Sequence, residues 1–219
     1  MTLKLLLIGG TGLVGRLAAD RLLADGASID ALLRRPAGRS APGWREHVAP
    51  PDEWPALAKD IGGDVAVSAL GTTARAAGSD AAFRAVDFDI VVAFARAARA
   101  GGVRHMIIVS SVGADPGSGL LYPRVKGEME DALSALAFDR LDILRPGLLR
   151  GDRGPDRRWG ERIGIIVSPI VNLLLRGRLD RFAAIDAATV AAAIAALAGQ
   201  AAPGRFVHHN RDLHRLARG

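Results

Sequence analysis

A chain of 219 residues, 49% of them hydrophobic, is long enough to bury one sizeable core and short for two independent ones. It holds no cysteine, which excludes disulfides, thiolate nucleophiles, iron–sulfur ligation and cysteine-bound zinc, so its chemistry must come from hydroxyls, amines, carboxylates or a cofactor. The formal charge is +6, and the basic excess lies entirely after residue 144.

Leu3 to Ile8 is a continuous apolar run holding one lysine; a glycine turn follows, and Leu13 to Ala24 repeats Leu, Val and Ala at helical spacing. Strand, loop and helix are predicted. Ser28 to Leu33 reads as a second strand ended by Arg34-Arg35-Pro36, completing a βαβ unit. No basic stretch and cleavable apolar run precede the first strand, so a signal peptide is not expected and a cytoplasmic protein is.

Residues 36–62, rich in Pro, Gly and Trp, are expected to hold a short strand near His47 to Ala49 and an irregular helix, with Trp44 and Trp54 in loops. Val65 to Leu70 reads as a strand and Gly71 to Ser79 as a small-residue loop. A long Ala-rich helix from Ala81 to about Ala100 is ended by Gly101-Gly102. Val103 to Ser110 is a strand whose apolar core, Met106 to Val109, marks it as central. His105 just ahead of that core reads as structural.

Val112 to Leu121 reads as a loop, and Tyr122 to Ala137 as a helix with apolar and charged faces that puts Glu128 and Glu130 on its exposed side. Leu141 to Leu144 is a strand ended by Arg145-Pro146-Gly147. Beyond it come an arginine-bearing loop with Trp159, an apolar run from Ile163 to Leu175, a helix near Ala187 to Ala198 and a short strand around Phe206-Val207. Broken by Pro169 between Arg162 and Arg176, the apolar run falls well short of the roughly 20 residues of a membrane span; it reads as a buried or interfacial helix pair, serving as a lid or a dimer face. The alternation of strands and helices predicts an α/β fold with a doubly wound parallel sheet, a Rossmann fold. It forms a single domain over residues 1–219, with about 151–185 as a small substrate-covering lobe.

Gly9-Gly10-Thr11-Gly12-Leu13-Val14-Gly15 matches G-x-G-x-x-G from Gly10, between a predicted strand and a predicted helix. Glycines let the backbone turn tightly and approach a pyrophosphate, whose charge meets free N–H groups and the positive helix end. The alternative is a tight turn of purely structural use. At the end of the second strand an NAD site usually presents an acidic residue to the ribose, whereas an arginine meets a 2′-phosphate. This chain presents Arg34 and Arg35, with Asp30 too early in the strand to reach, so NADP(H) is favoured and NAD(H) stays open. One of the two arginines is expected to be simply a solvated strand end.

Tyr122 and Lys126 stand four residues apart, on one helical face. An ammonium beside a phenol favours the phenolate, so the hydroxyl can pass a proton to or from a carbonyl oxygen while a cofactor exchanges hydride at carbon, and the same lysine can hold the nicotinamide ribose. The chain has one tyrosine and three lysines, Lys4, Lys59 and Lys126, which makes the spacing informative. Ser110 and Ser111 close the preceding strand at the carboxyl end of the sheet. One of these hydroxyls could steady the carbonyl oxygen; Ser111 is preferred, with Ser110 left to cap or pack the strand end. His208 and His209 lack neighbouring carboxylates or thiols at ligand spacing, so no metal is expected.

These residues resemble the short-chain dehydrogenase/reductase superfamily, and within it the small atypical members grouped with the Tat-interacting-protein oxidoreductases and NmrA-like NAD(P)-binding proteins. The likeness runs through Ile8 to Gly15, Leu70 to Thr73, Val86-Asp87, Ser110 to Asp115, Tyr122 to Glu128, Arg145 to Gly147 and Asn210 to Leu216. It implies that Leu70, Gly71, Thr72 and Thr73 line the cofactor after the fourth strand. Pro146, Gly147 and Leu148 would cover the nicotinamide side, with Ser, Tyr and Lys catalytic. The chain is thus expected to be an NADP-dependent oxidoreductase acting on a small carbonyl or alcohol. The rival reading is an NADP(H)-binding redox sensor without turnover. Neither a nucleic-acid partner nor a membrane span is expected, since the arginines from Arg150 to Arg162 bring one aromatic and no recognition motif; a homodimer stays open.

Overall fold

The computed structural model describes residues 2–72, 74–151 and 181–218. Seven parallel strands form the main sheet in the order β3-β2-β1-β4-β5-β6-β9. They are β1 (Lys4–Ile8), β2 (Ser28–Leu33), β3 (Trp44–Val48), β4 (Val65–Ser68), β5 (His105–Val109), β6 (Arg140–Leu144) and β9 (Gly204–His208), while β7 (Leu149–Arg150) and β8 (Ile185–Asp186) make a separate parallel pair. From β1 the chain steps outward to β2 and β3, then crosses back to β4 on the other side. The sheet therefore has a switch point between β1 and β4, where ligands of doubly wound folds bind at the carboxyl ends.

Alternation along the strands feeds two cores. Leu5, Leu7, Val65, Val67, Ile107 and Leu144 face α1 (Leu13–Ala24), α7 (Ala187–Ala198) and α8 (Asn210–Leu216). Leu6, Ile8, Ala66, Met106, Ile108 and Ile143 face α2 (Trp54–Ile61), α5 (Ile90–Ala100) and α6 (Leu121–Ser134). Helix α7, almost all Ala, Ile, Val and Leu, is buried over most of its length and packs along α1, where small side chains allow close approach. A short α3 (Ala74–Ala77) follows β4.

Several boundaries differ from expectation. Trp44 opens β3, its ring packed in the core on the α1 side, and Trp54 opens α2, donating from its indole N–H to the Ala49 carbonyl at 3.0 Å. Neither is a loop residue. Strand β4 ends at Ser68, so Leu70 belongs to the loop. The expected single helix of 81–100 is α4 (Asp80–Arg84), a π turn over Ala85–Asp89 and α5, with the Ile90 N–H reaching back five residues to the Ala85 carbonyl. Helix α6 stops at Ser134, and Ala137 beyond it takes a positive φ of 51°. The predicted lobe lies almost wholly outside the described residues, as do the apolar run Ile163 to Leu175 and Trp159. No helix among the described residues is long and apolar enough to cross a membrane.

Candidate active site

Gly9 leaves β1 with φ +80°, and a Cβ there would stand 2.4 Å from the Ala69 carbonyl carbon at the end of β4. A Cβ on Gly15 would stand 2.2 Å from the Gly9 oxygen, so α1 starts in direct contact with the loop only because that position is bare. Gly12 caps α1 in extended conformation with no side chain over the helix end, and its N–H donates to the Gly9 carbonyl at 3.0 Å. First-turn N–H groups at Leu13, Val14 and Gly15 have no helical acceptor, and Thr11 and Gly12 are exposed, so the helix end is open to an anion. The Val14 side chain faces the core, leaving its backbone N–H as its means of contact. This bare, open cradle fits a dinucleotide pyrophosphate.

Arg34 and Arg35 follow β2, both exposed and without a carboxylate partner among the described residues. Asp30 is engaged elsewhere: Arg45 donates to it through Nε (2.8 Å) and a terminal nitrogen (2.6 Å), and His47 Nε2 lies 2.8 Å away. Burial would raise the Asp30 carboxyl, but the hydrogen bonds from Arg45 and His47 and their charges hold it below its ordinary value.

Leu70, Gly71 and Thr72 run past the end of β4, while Thr73 lies outside the described residues. The Thr72 N–H donates to Asp87 Oδ2 at 2.8 Å. Asp87, in the π turn, is fully buried, and its Oδ1 stands 2.7 Å from Lys126 Nζ. That contact is an ion pair between two buried charges. Tyr122, one turn before Lys126 on α6, is 38% exposed and packs on the Phe83 ring at 5.4 Å.

The two serines separate. Ser110 is buried and donates to Glu130 Oε1 at 2.5 Å, whereas Ser111 is half-buried and donates only to the adjoining Val112 carbonyl at 3.1 Å. Glu130 does not lie on an exposed face: it is 1% exposed and gripped by Arg145 from the end of β6, through Nε at 3.0 and 3.1 Å and a terminal nitrogen at 2.5 Å. The spacing held a signal that would have found it: 122, 126 and 130 repeat every four residues and share a face of α6, so Glu130 belongs with Tyr122 and Lys126 rather than with Glu128. Glu128 pairs with Arg84 on the outer side.

Beyond Arg145, the buried Pro146 accepts the Val112 N–H at 2.9 Å, and the Gly147 N–H donates to Asn210 Oδ1 at 2.9 Å. Asn210 Nδ2 donates in turn to the Ala183 carbonyl at 2.7 Å, so α8 ties the Arg145–Leu148 turn to the chain entering β8. At the end of β9, burial and the charges of Arg145 and Arg181 push His209 below its ordinary value, leaving it a neutral imidazole at pH 7. Asp87, Glu130 and Asn210 had no assigned role in the sequence, because each acts through a partner more than a dozen residues away.

Glycine loop, arginine-bearing strand end, 70–72 loop and Tyr122–Lys126 helix all gather at the carboxyl ends of β1, β2, β4, β5 and β6. The arrangement defines a Rossmann-type NAD(P)-binding protein. A family model described as NAD(P)H-binding matches residues 9–162, and the chain belongs to that family. It is 34% identical over 237 residues to the mitochondrial protein FMP52 of Coccidioides immitis, covering 97% of this chain and 95% of that one. Over 96 residues, 44% of this chain and 39% of the other, it is 49% identical to protein HTATIP2 of Rattus norvegicus. A putative NAD-dependent epimerase/dehydratase from Bacillus halodurans shares the fold at TM-score 0.69 and 23% identity, over 99% of both chains. The FMP52 relatives, from several fungi, are named mitochondrial, which overturns the cytoplasmic expectation. The order of strands and helices carries no information on compartment.

Proposed function

We propose that this chain is an NADP(H)-dependent oxidoreductase acting on a small carbonyl or alcohol, with Tyr122 as acid and base, Lys126 beside it and Ser111 as a hydrogen-bond donor to the reacting oxygen. The observation that carries the reading is the Tyr122–Lys126 face of α6, with a buried, ion-paired lysine one turn from an exposed phenol, beside the loops at the ends of β4 and β5. Bound NADPH would supply hydride to the carbonyl carbon. Tyr122 then gives its proton to the carbonyl oxygen, the Lys126 charge steadies the phenolate left behind, and the Ser111 hydroxyl holds the oxygen in place. Ser110 is unsuited to that task because its proton is committed to Glu130. The preference for NADP(H) rests on Arg34 and Arg35, free to meet a 2′-phosphate, and on Asp30, whose carboxylate is spent on Arg45 and His47.

The test is NADPH consumption against a panel of small aldehydes and ketones. Tyr122→Phe should lower kcat on the order of 10²-fold or more with NADPH affinity unchanged, and Ser111→Ala should lower it less. NADPH binding with no turnover across the panel would contradict the reductase reading and favour a redox sensor.

A further inference from the structure

The segment running from α4 into the π turn meets α6 through two matched pairs. On α6 Tyr122 and Lys126 are four residues apart; on the facing segment Phe83 and Asp87 are four apart as well, the ring under the phenol and the carboxylate against the ammonium. The π turn over Ala85–Asp89 carries the second contact. Such a turn adds a residue to one helical repeat, rotating what it holds, and single π turns concentrate at functional sites. Here it holds a carboxylate with no exposure, inside a segment otherwise built to pack on the sheet.

Both charges are nearly dehydrated, the Lys126 side chain at 4% and Asp87 at 0% exposure, so neither is tolerable without the other. The neighbouring charges are already committed: Glu130 to Arg145 and Ser110, and Arg84 to Glu128. Asp87 is therefore the carboxylate facing Lys126 among the described residues. Its second oxygen takes the Thr72 N–H, so one side chain joins the lysine to the loop after β4.

We propose that Asp87 is a positioning residue: its buried carboxylate fixes the Lys126 ammonium below Tyr122 and locks it to the Leu70–Thr72 loop. This rests on the reading of Tyr122 and Lys126 as the reacting pair. Asparagine at 87 would keep an acceptor for Thr72 and the same shape but remove the charge, leaving the ammonium free to leave its place.

With only three lysines in the chain, lysine-selective ¹³C/¹⁵N NMR resolves the pair directly, Lys126 being assigned by its loss in Lys126→Arg. In the wild type the Lys126 ammonium should exchange its protons far more slowly than the exposed Lys59, and Asp87→Asn should move its signal alone. If Asp87→Asn does not fold, the wild-type spectrum decides: exchange as fast as that of Lys59 overturns the ion pair. In kinetics, Asp87→Asn should lower kcat on the order of 10²-fold. Asp87→Asn/Lys126→Met should be no slower than Lys126→Met, because the first residue acts through the second. Losses that multiply in the double variant overturn the positioning role. Turnover that survives Tyr122→Phe sinks the reductase reading instead, a result distinguishable from the first.

Discussion

At Gly15 the first turn of α1 rests on the carbonyl of Gly9, and a methyl group there would stand 2.2 Å from that oxygen. Such a contact cannot be absorbed by a side-chain rotation, because both sides are backbone. Gly15→Ala should push the helix start off the loop, spoil the aim of its free N–H groups and weaken NADPH binding at least about tenfold, roughly the loss of one good hydrogen bond to a charged group. Calorimetric titration checks this; unchanged affinity would mean the pyrophosphate does not sit on this helix end. The glycine spacing and the Tyr122–Lys126 pair were legible because both are local patterns. The difference between Ser110 and Ser111 was legible only as a preference. What sets the two hydroxyls apart is Glu130, which takes the Ser110 proton and whose burial depends on the sheet against which α6 packs.

Among the elements, those with strong local periodicity read most clearly: β1, α1, β2, β5 and α7 stand close to where the apolar spacing puts them. The helix expected over 81–100 had the right extent but not its π turn, which carries Asp87 to its contact with Lys126 on α6, a partner 39 residues away in sequence. Strand β9 was similarly faint. Its first two residues are exposed, and it is fastened to β6 by Asp142, which takes His105 from β5 (2.8 Å), His208 from β9 (2.7 Å) and Arg140 through two nitrogens (2.6 and 3.0 Å). In the sequence His208 looked remote from any carboxylate; the strand register brings Asp142 between it and His105.

Burial by itself would raise the Asp142 carboxyl, but those hydrogen bonds and the Arg140 charge hold it far below its ordinary value of 3.8. The unfolded chain therefore binds the proton more readily, so the stabilisation from Asp142 is fully present above about pH 4 and drains away as the pH falls below it. Asp142→Ala should cost about 3–5 kcal/mol at pH 7, as expected for breaking a buried ionic cluster, and the deficit should shrink in acid. Urea unfolding at pH 7 and near pH 3 measures both; an equal deficit at the two would show that the ionised carboxylate is not the source.

For the whole molecule, two cores on either face of one parallel sheet place the described candidate site residues at the carboxyl ends of the strands. The fold class was readable from the order of elements alone, because a parallel sheet with crossovers leaves few topologies. The compartment was not, because no folding constraint encodes it. A ligand that binds only the folded chain stabilises it by about 2.7 kcal/mol at a hundred times its dissociation constant, so NADPH at saturating concentration should raise the melting temperature visibly.

The most direct test of the account is a calorimetric titration of the wild type and of Arg34→Ala/Arg35→Ala with NADPH and with NADH. The wild type should bind NADPH more tightly than NADH, and the double variant should lose that preference while keeping NADH affinity. Equal affinities in the wild type would remove the case for NADP(H), and binding of neither dinucleotide would contradict the account at its root.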